Sequence, residues 1–537
     1  MRNCSLLFIL IFFCNCVGIK NLKQESQLFT TELNEKVLSL DSTDVLTKSV
    51  NGNWQLRISG DPYELGYKKG ILTKELYQQQ EAIFFSRVAE FVPNKTYQKQ
   101  MVSFLKWYNR SILDHVPVNF KKEIYALSQF TSTNYDFLGS KYERNLLLHS
   151  AHDIGHAMQD LMLVGCSSIA LWDDFTDDGN LLIGRNFDFY VNDAFAENKI
   201  VEFIQPANGY KYASVTWPGM VGVVSGMNEK GITVTLNAGK SNIPLRGKTP
   251  VSIVARAILQ DAKNIEEAIT IAQSFEVFVA ESFLIGSAAD NKAVVVEMSP
   301  KKFDVYEQNN GKLICTNHFQ SGRYETDKRN QEQLLNSHSY HQLKKLDTSF
   351  KNNQNYNVTD VVTVLRDVSG LQNEDIGLGN EKALNQLLAH HTVVFKPKEL
   401  KMWVSNNPYQ LGAFDAYDLN AIFKFKELQP VKELEIKSDS LIYSEQYQKY
   451  QKFKVLNNKI NEALSNEVVL EDHLLNTYQQ LNPEFWVVYK TLGDYYYLHK
   501  AYLKAEEMFK VALTKEISAQ EYRNEIEKKL MKSKKKQ

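Results

Sequence analysis

The sequence is poor in cysteine and carries almost no net charge. Three of its five cysteines lie within the first 16 residues, so only Cys166 and Cys315 would remain after removal of an N-terminal signal. Two cysteines make no disulfide framework, which excludes a small disulfide-stapled fold. The formal net charge of −1 over 537 residues gives no electrostatic footprint for nucleic acid. We therefore expect an ordinary globular protein of two or three domains with no nucleic-acid partner.

Long apolar runs are missing beyond the N-terminus. Arg2 precedes an apolar stretch at residues 6–13, which has the charged start and short hydrophobic core of a secretory signal and is too short to span a membrane. Cleavage after Gly18 would give a secreted or periplasmic protein with a soluble body. A loosely matching lipoprotein site at Cys16 also allows a lipid-anchored form.

The hydrophobic pattern changes along the chain. Residues 62–163 have a helical pattern, whereas alternating and continuous apolar segments after Gly165 predict strands. These strands are expected at residues 200–204, 212–217, 232–236, 293–298 and 312–316, with a helical stretch at 249–275. After Pro430 the chain becomes charged and helical again. The mixture predicts sheets covered by helices.

The C-terminal helical part has the spacing of a tetratricopeptide unit from residue 486 onward. Small residues at Gly493, Ala505 and Ala512 would let two antiparallel helices approach, and Tyr489 and Phe509 would fill the groove between them. One repeat matches, and the preceding helix at residues 443–464 could complete the stack. Such a region could dock a protein partner.

A lone cysteine in a buried strand pattern is the most informative feature. Cys166 follows Gly165 and precedes an apolar run, and the motif Gly-Arg-Asn-Phe-Asp follows at residues 184–188. A polar turn at residues 177–180 separates the two segments, which predicts a β-hairpin. Arg185 and Asp188 would then both lie near the thiol of Cys166.

Several motifs in order resemble one enzyme family. The junction Gly-Cys-Ser at 165–167, the Gly-Arg-Asn-x-Asp strand at 184–188, the Asn-Glu-Lys-Gly hairpin at 228–231 leading to Asn237, and Thr-Asn-His-Phe at 316–319 carry the resemblance. From about residue 61 to 406 the chain resembles the isopenicillin-N acyltransferase family of self-processing N-terminal-nucleophile hydrolases, related to choloylglycine hydrolases and acid ceramidases. The long segment before Cys166 favours the acyltransferase-like branch, in which internal cleavage exposes the cysteine.

The resemblance implies a mechanism that the residue chemistry supports. Attack of the Cys166 thiol on the Gly165 carbonyl would give a thioester, and its hydrolysis would leave Cys166 with a free α-amine whose pKa is about 7.7–8.0. Arg185 would lower the pKa of the thiol, and Asp188 would accept hydrogen bonds from the new ammonium group.

The remaining catalytic roles are predicted from matching motif positions. Asn237 and Asn317 would donate hydrogen bonds to the tetrahedral intermediate. Arg329 resembles the distal arginine of acid ceramidases, although Arg323 is an equally available candidate. Trp217 and Met220 would line an acyl pocket, or serve as core residues. No cofactor is expected.

Each of these residues also has a structural interpretation. Cys166 could be a small hydrophobic core residue, and Arg185 with Asp188 an ion pair on a sheet face. Asn237 could end a strand and Asn317 cap a loop. Cys315 is expected to be structural.

Histidines offer two competing sites. His149, His152 and His156, beside Asp153, would share one helical face and could bind zinc in a zinc-dependent hydrolase. His390 and His391 precede an apolar strand and suggest a core role, with a histidine–thiol dyad as the other interpretation.

We predict an α+β protein with a four-layer αββα core. Residues 1–18 form the signal, 19–165 a helical N-terminal segment that stays associated after cleavage, 166–428 the catalytic core, and 429–537 the helical repeat region. The predicted reaction is hydrolysis or acyl transfer at a linear amide of a small acyl-amide substrate. Bile-salt amides, N-acyl amino acids, lipid amides and β-lactam side chains all fit. The alternative is a non-catalytic exported scaffold that binds acyl amides and docks a partner.

Overall fold

In the computed structural model, two β-sheets packed face to face form the centre of the protein. The structure describes residues 18–158, 163–242, 246–352, 354–424 and 428–537. The strands are β1 (Val45–Lys48), β2 (Trp54–Gly60), β3 (Leu163–Val164), β4 (Ser167–Leu171), β5 (Leu182–Phe187), β6 (Phe189–Tyr190), β7 (Ile200–Pro206), β8 (Tyr212–Thr216), β9 (Ser225–Asn228), β10 (Ile232–Ala238), β11 (Glu281–Ser287), β12 (Lys292–Met298), β13 (Phe303–Tyr306), β14 (Lys312–Cys315), β15 (His391–Lys396), β16 (Lys401–Ser405) and β17 (Phe414–Asp418).

Helices surround these sheets and dominate both ends of the chain. They are α1 (Leu22–Asn34), α2 (Pro62–Phe91), α3 (Lys95–Tyr108), α4 (Ile112–His115), α5 (Val118–Ser128), α6 (Lys141–Met158), α7 (Asp193–Glu197), α8 (Val251–Asp261), α9 (Ile265–Gln273), α10 (Lys328–Asn336), α11 (Ser339–Ser349), α12 (Val358–Leu365), α13 (Leu419–Ile422), α14 (Glu445–Ser465), α15 (Asp472–Leu481), α16 (Trp486–Leu498), α17 (Tyr502–Thr514) and α18 (Gln520–Lys535).

The large sheet has nine strands and the small sheet six. Their orders are β1-β2-β7-β8-β9-β10-β11-β12-β13 and β14-β4-β5-β15-β16-β17. All neighbours within these sheets are antiparallel except β2 and β7. Strands β3 and β6 form a separate two-stranded pair beside the cysteine.

The side chains sort into four layers. Residues such as Phe203 of the large sheet and Ile183 of the small sheet share the core between the sheets. The outer face of the large sheet packs on α8 and α9, for example through Leu236. The outer face of the small sheet packs on α11 and α12, for example through Ile169. The predicted αββα core is therefore confirmed, and the period-two alternation of each strand produces it.

The N-terminal segment is more than a helical cap. Its helices α1, α2, α5 and α6 share one hydrophobic cluster with residues of α8. It also contributes β1 and β2 to the large sheet, and β2 runs parallel to β7 from Trp54 opposite Ile200 to Gly60 opposite Pro206. The sequence pattern predicted helices here but not these strands. A β-strand shared with the core ties this segment to it by backbone hydrogen bonds.

Buried ion pairs add to that connection. Lys69 on α2 lies 2.7 Å from Glu202 on β7, and both side chains are buried. Lys69 also donates a hydrogen bond to the Met220 carbonyl at 2.9 Å. Glu123 on α5 pairs with Arg256 on α8 at 3.2 Å.

The C-terminal region consists of five helices, α14 to α18, which share one hydrophobic cluster with Leu378, Leu387, Tyr409 and Leu411 of the preceding segment. Helices α16 and α17 approach closely at Gly493, where a Cβ would lie 2.5 Å from the Phe509 ring. The small residue is therefore needed where the sequence pattern predicted it. The helical character is confirmed, and the tetratricopeptide assignment stays a prediction.

Two observations concern the predicted export of the protein. Residues 1–17, which carry most of the predicted signal, lie outside the described residues. Among the residues that are described, the helices are too short or too polar to cross a membrane. Export therefore stays a prediction.

Replacing Lys69 tests the connection between the N-terminal segment and the core. Lys69→Met leaves the Glu202 carboxylate buried without its cation, and we expect the free energy of unfolding to fall by about 3–5 kcal/mol. Urea titration followed by tryptophan fluorescence measures the change. Lys263→Met, which removes an exposed pair with Glu267, is the control and should change stability little. Equal stability of the two variants would contradict the buried connection.

Candidate active site

Cys166 lies at the entry to the small sheet. It connects β3 to β4 and is 1% exposed. Strands β4 and β5 form the predicted antiparallel hairpin, with Ser168 opposite Arg185. The prediction that Arg185 and Asp188 lie near Cys166 is confirmed, because the turn between the two strands brings their ends together.

Arg185 crosses the gap between the two sheets. Its Nη2 donates to Cys166 Sγ at 3.5 Å and also to the Leu236 carbonyl. Its Nη1 donates to the Val224 carbonyl at 2.6 Å and to Ser225 Oγ. The guanidinium is fully buried, so these acceptors on β9 and β10 fix its position.

Burial governs the charge of the thiol in the uncut chain. It raises the pKa of Cys166 to about 11, and Arg185 opposes this shift only in part. The lowered thiol pKa predicted from the sequence is therefore not found while Gly165 is still attached. Arg185 lowers the pKa of the thiol as predicted, but desolvation of the thiolate raises this pKa by more.

Asp188 contacts both sides of the junction. Its backbone carbonyl accepts from Gly165 N at 3.2 Å, and its Oδ2 accepts from Gln386 Nε2 at 3.1 Å. Its Oδ1 has no hydrogen-bond partner within the described part of the chain. Complete burial raises the pKa of this carboxyl well above its ordinary value. Asp188 therefore has an acceptor available for a new ammonium group.

The two asparagines hold the same junction. Asn317 Oδ1 accepts from the Cys166 backbone N at 2.7 Å, and its Nδ2 donates to the Ala238 carbonyl at 3.1 Å. Asn237 Oδ1 accepts from Ser168 Oγ at 2.9 Å, and its Nδ2 donates to the Cys315 carbonyl at 3.2 Å. Each amide has a second N–H, so both keep one donor besides these bonds.

Strand alternation explains why Asn237 faces the cysteine hairpin. On β10, Val234 and Leu236 pack towards the helices, so Thr235 and Asn237 point into the gap between the sheets. Ser168, which sequence reasoning missed, could have been found from the same alternation on β4.

Arg329 is not brought into this cluster. Its side chain is exposed on α10, whereas the neighbouring Asn330 is buried and bonds to the backbone of Phe319. Arg323, the other candidate, is exposed as well. The helix therefore presents Asn330 inward and Arg329 to solvent. Cys315 is a buried free thiol, consistent with a structural role.

His390 and His391 lie in hydrogen-bond distance of partners other than the thiol. His391 Nε2 lies 2.8 Å from Ser225 Oγ, and its Nδ1 lies 2.8 Å from His390 Nδ1. Both ring nitrogens of His391 are thus engaged away from Cys166. His391 therefore supports the position of Arg185 through Ser225, a role that sequence reasoning missed.

The predicted zinc cluster is not assembled by the described residues. His149 Nε2 accepts from Val221 N at 2.9 Å, and its Nδ1 contacts the Asn145 carbonyl at 2.8 Å. Asp153 accepts from Val251 N at 2.8 Å. The side chains of His152 and His156 lie outside the described part of the structure, and no metal-binding group is found within that part. His149 and Asp153 connect the N-terminal segment to the core.

A small cavity lies between α2 and the core. Trp217 and Met220, predicted to bind substrate, both line it, together with Phe189 and with Tyr77 and Phe84 from α2. Phe189 stacks on Trp217 with ring centroids 5.6 Å apart and belongs to the same hydrophobic cluster as Cys166. The cavity is therefore mostly apolar, although Gln80, Glu81 and His149 also line it, and its walls come from both the N-terminal segment and the core.

The family model for acyl-coenzyme A:6-aminopenicillanic acid acyl-transferase matches residues 175–407. This segment, which is less than half of the chain, is similar to that acyl-transferase family. It contains Arg185, Asp188, Asn237 and Asn317 but begins after Cys166. The match is consistent with the predicted enzyme class, an amide hydrolase or acyl transferase of the N-terminal-nucleophile type.

Two curated relatives match about half of the chain. An uncharacterized protein from Archaeoglobus fulgidus is 26% identical over 276 residues, covering 48% of this chain and 45% of its own length. Protein dcd1B from Dictyostelium discoideum is 24% identical over 272 residues, covering 47% of this chain and 51% of its own. The chain thus spans about half the length of these relatives.

Among solved structures, similar chains include amide hydrolases. An N-acylethanolamine-hydrolyzing acid amidase ortholog from Caenorhabditis elegans is 20% identical, with 43% of this chain and 93% of that chain covered and a TM-score of 0.33. A variant of the conjugated bile acid hydrolase from Clostridium perfringens is 15% identical, with 50% and 95% covered and a TM-score of 0.32.

The packing role of Gly184, the first residue of the Gly-Arg-Asn-Phe-Asp motif on β5, can be tested directly. A Cβ at Gly184 would lie 2.4 Å from Val361 Cγ1 on α12, a β-branched side chain with little freedom to move. We expect Gly184→Ala to push α12 from β5 and to lower the free energy of unfolding by about 1–3 kcal/mol. Urea titration measures this. Gly322→Ala is the control, because its Cβ would meet nothing within 4 Å; a similar effect in both variants would argue against the proposed packing role of Gly184.

Proposed function

We propose that the protein is an exported, self-processing cysteine amidohydrolase or acyltransferase that acts on linear amides. The observation that carries this proposal is the hydrogen-bond geometry at one residue. Cys166 Sγ accepts a hydrogen bond from Arg185 Nη2 at 3.5 Å, and Cys166 N donates one to Asn317 Oδ1 at 2.7 Å. Thiol, guanidinium and amide thus meet at a residue whose own backbone nitrogen would become the catalytic amine.

Self-cleavage would proceed through an acyl shift. The Cys166 sulfur attacks the Gly165 carbonyl carbon, the C–N bond breaks, and the thiol proton ends on the α-nitrogen of Cys166. Water then hydrolyses the thioester, which leaves a carboxylate on Gly165 and frees the thiol. The same thiol would next attack a substrate amide, and water or an amine would resolve the resulting thioester.

Asp188 would serve the cleaved enzyme. Its unpartnered Oδ1 supplies an acceptor for the α-ammonium of Cys166, and formation of that cation opposes the burial effect that raises the pKa of the carboxyl. Asn237 and Asn317 would use their second N–H groups towards the tetrahedral intermediate.

The two products of cleavage would stay together. The parallel pairing of β2 with β7 and the buried Lys69–Glu202 pair both join residues before Cys166 to residues after it. The cavity beside Trp217 and Met220 takes walls from both pieces, which supports an apolar acyl group as its ligand. We also propose that the C-terminal helices dock a protein partner.

Intact mass and N-terminal sequencing of the full chain test self-processing. The wild type should yield two fragments, the larger beginning at Cys166 and hydrolysing members of an acyl-amide panel. Cys166→Ala removes the nucleophile and should stay one inactive chain. A wild type that remains whole would overturn the mechanism and favour the acyl-amide-binding scaffold.

The rate of self-cleavage should depend on pH in a defined direction. Because the pKa of Cys166 is raised to about 11, the thiolate is a minor species at neutral pH. Its fraction, and with it the cleavage rate, should rise roughly tenfold per pH unit from pH 6 to 9. Gel analysis of purified uncut chain at each pH gives the rates. A rate that is constant or falls over this range would rule out attack by the thiolate.

A further inference from the structure

Gln386 is a buried side chain at the predicted scissile bond. Its Nε2 lies 3.5 Å from the Gly165 carbonyl oxygen and 3.1 Å from Asp188 Oδ2. A primary amide has two N–H donors, so it can donate a hydrogen bond to each of these two acceptors at once. The approach is close: a Cβ on Gly165 would lie 2.5 Å from this nitrogen. Glycine therefore leaves room for the amide in this position beside the carbonyl.

The loop that carries Gln386 is held firmly. Gln342 on α11 donates to the carbonyls of Glu381 and Ala383 at 3.2 and 2.9 Å. Asn482, from the C-terminal helical region, exchanges two hydrogen bonds with the Leu378 backbone. Contacts from both sides thus fix the loop.

The backbone next to Gln386 is strained. Leu387, directly after Gln386, is buried and has a φ of +55°, a left-handed conformation that disfavours a leucine. Such a conformation persists only where its surroundings enforce it, and strained residues cluster at functional sites. The strain lies next to the one side chain of this loop that contacts the Gly165 carbonyl.

We propose that Gln386 is a catalytic residue of self-cleavage, donating a hydrogen bond to the Gly165 carbonyl oxygen as negative charge develops on it. This inference rests on the proposed function. When the Cys166 sulfur bonds to the carbonyl carbon, the C=O π electrons move onto oxygen, and they return when the C–N bond breaks. A donor 3.5 Å away in the uncut chain would tighten against the oxyanion, because bonds to charged acceptors are shorter and stronger.

The contact with Asp188 allows an alternative role for Gln386, which an experiment can separate from the first. After cleavage the Gly165 carbonyl is no longer part of the reacting bond, whereas Asp188 stays beside the mature thiol. A donor to the scissile carbonyl therefore affects cleavage alone. A residue that acts only through Asp188 would affect cleavage and the mature thiol together.

Gln386→Met in the full chain tests the inference, since it keeps the volume and removes both donors. We expect self-cleavage at pH 8 to slow by about 100-fold, the cost of losing one oxyanion donor. Iodoacetamide should alkylate Cys166 of the eventually cleaved variant at close to the wild-type rate. Gln342→Met is the comparison variant: it removes two hydrogen bonds to the same loop but keeps the Gln386 amide, and it should slow cleavage much less than Gln386→Met.

Other outcomes are equally informative. Cleavage of Gln386→Met at the wild-type rate would overturn the inference and leave self-processing intact, whereas a wild type that never exposes Cys166 would overturn the proposed function itself. If Gln386→Met slows cleavage and alkylation by the same factor, Gln386 acts only through Asp188. If Gln342→Met slows cleavage as much as Gln386→Met does, the effect comes from the position of the loop. If Gln386→Met fails to fold, Gln386→Ala also removes both donors and adds no bulk; wild-type cleavage by that variant would likewise overturn the inference, and a comparable loss would support it.

Discussion

The buried guanidinium of Arg185 holds the two sheets and the thiol in one arrangement. It spans from β5 to carbonyls on the large sheet and reaches Cys166 Sγ at 3.5 Å. A cation so fully desolvated is tolerated only when its N–H groups find acceptors, and here the main chain at Val224 and Leu236 supplies them. The gap between the sheets is therefore set by a polar contact as much as by the hydrophobic core around it.

A second constraint is the burial of the junction itself. The low polarity around Cys166 and Asp188 raises the pKa of both groups, and the pKa of about 11 keeps the Cys166 thiol mostly neutral in the uncut chain. Only a small fraction of the thiol is therefore ionised at neutral pH before cleavage. The α-amine that cleavage would create is the missing charge partner for Asp188, which connects processing to activation in electrostatic terms.

The parts of the chain outside the core contribute to the site from opposite sides. The N-terminal segment supplies two strands and one wall of the apolar cavity. The C-terminal helices pack on the loop that carries Gln386, for example through Asn482 and through Phe485, which lies against Gly377. Neither end is a detached appendage, because each fixes an element that touches the cysteine cluster or its cavity.

The αββα class was expected from the family resemblance, whereas the sequence by itself determined two local features: the hairpin that joins Cys166 to Arg185, and the alternation that turns Asn237 inward. These follow from turn chemistry and from periodicities of two and 3.6 residues, which are covalent properties of the chain. Only the tertiary structure decided that Arg329 faces solvent, that burial outweighs Arg185 at the thiol, and that Gln386, 221 residues from Gly165, contacts its carbonyl. Desolvation and long-range contact depend on how distant segments pack, and no local pattern encodes either.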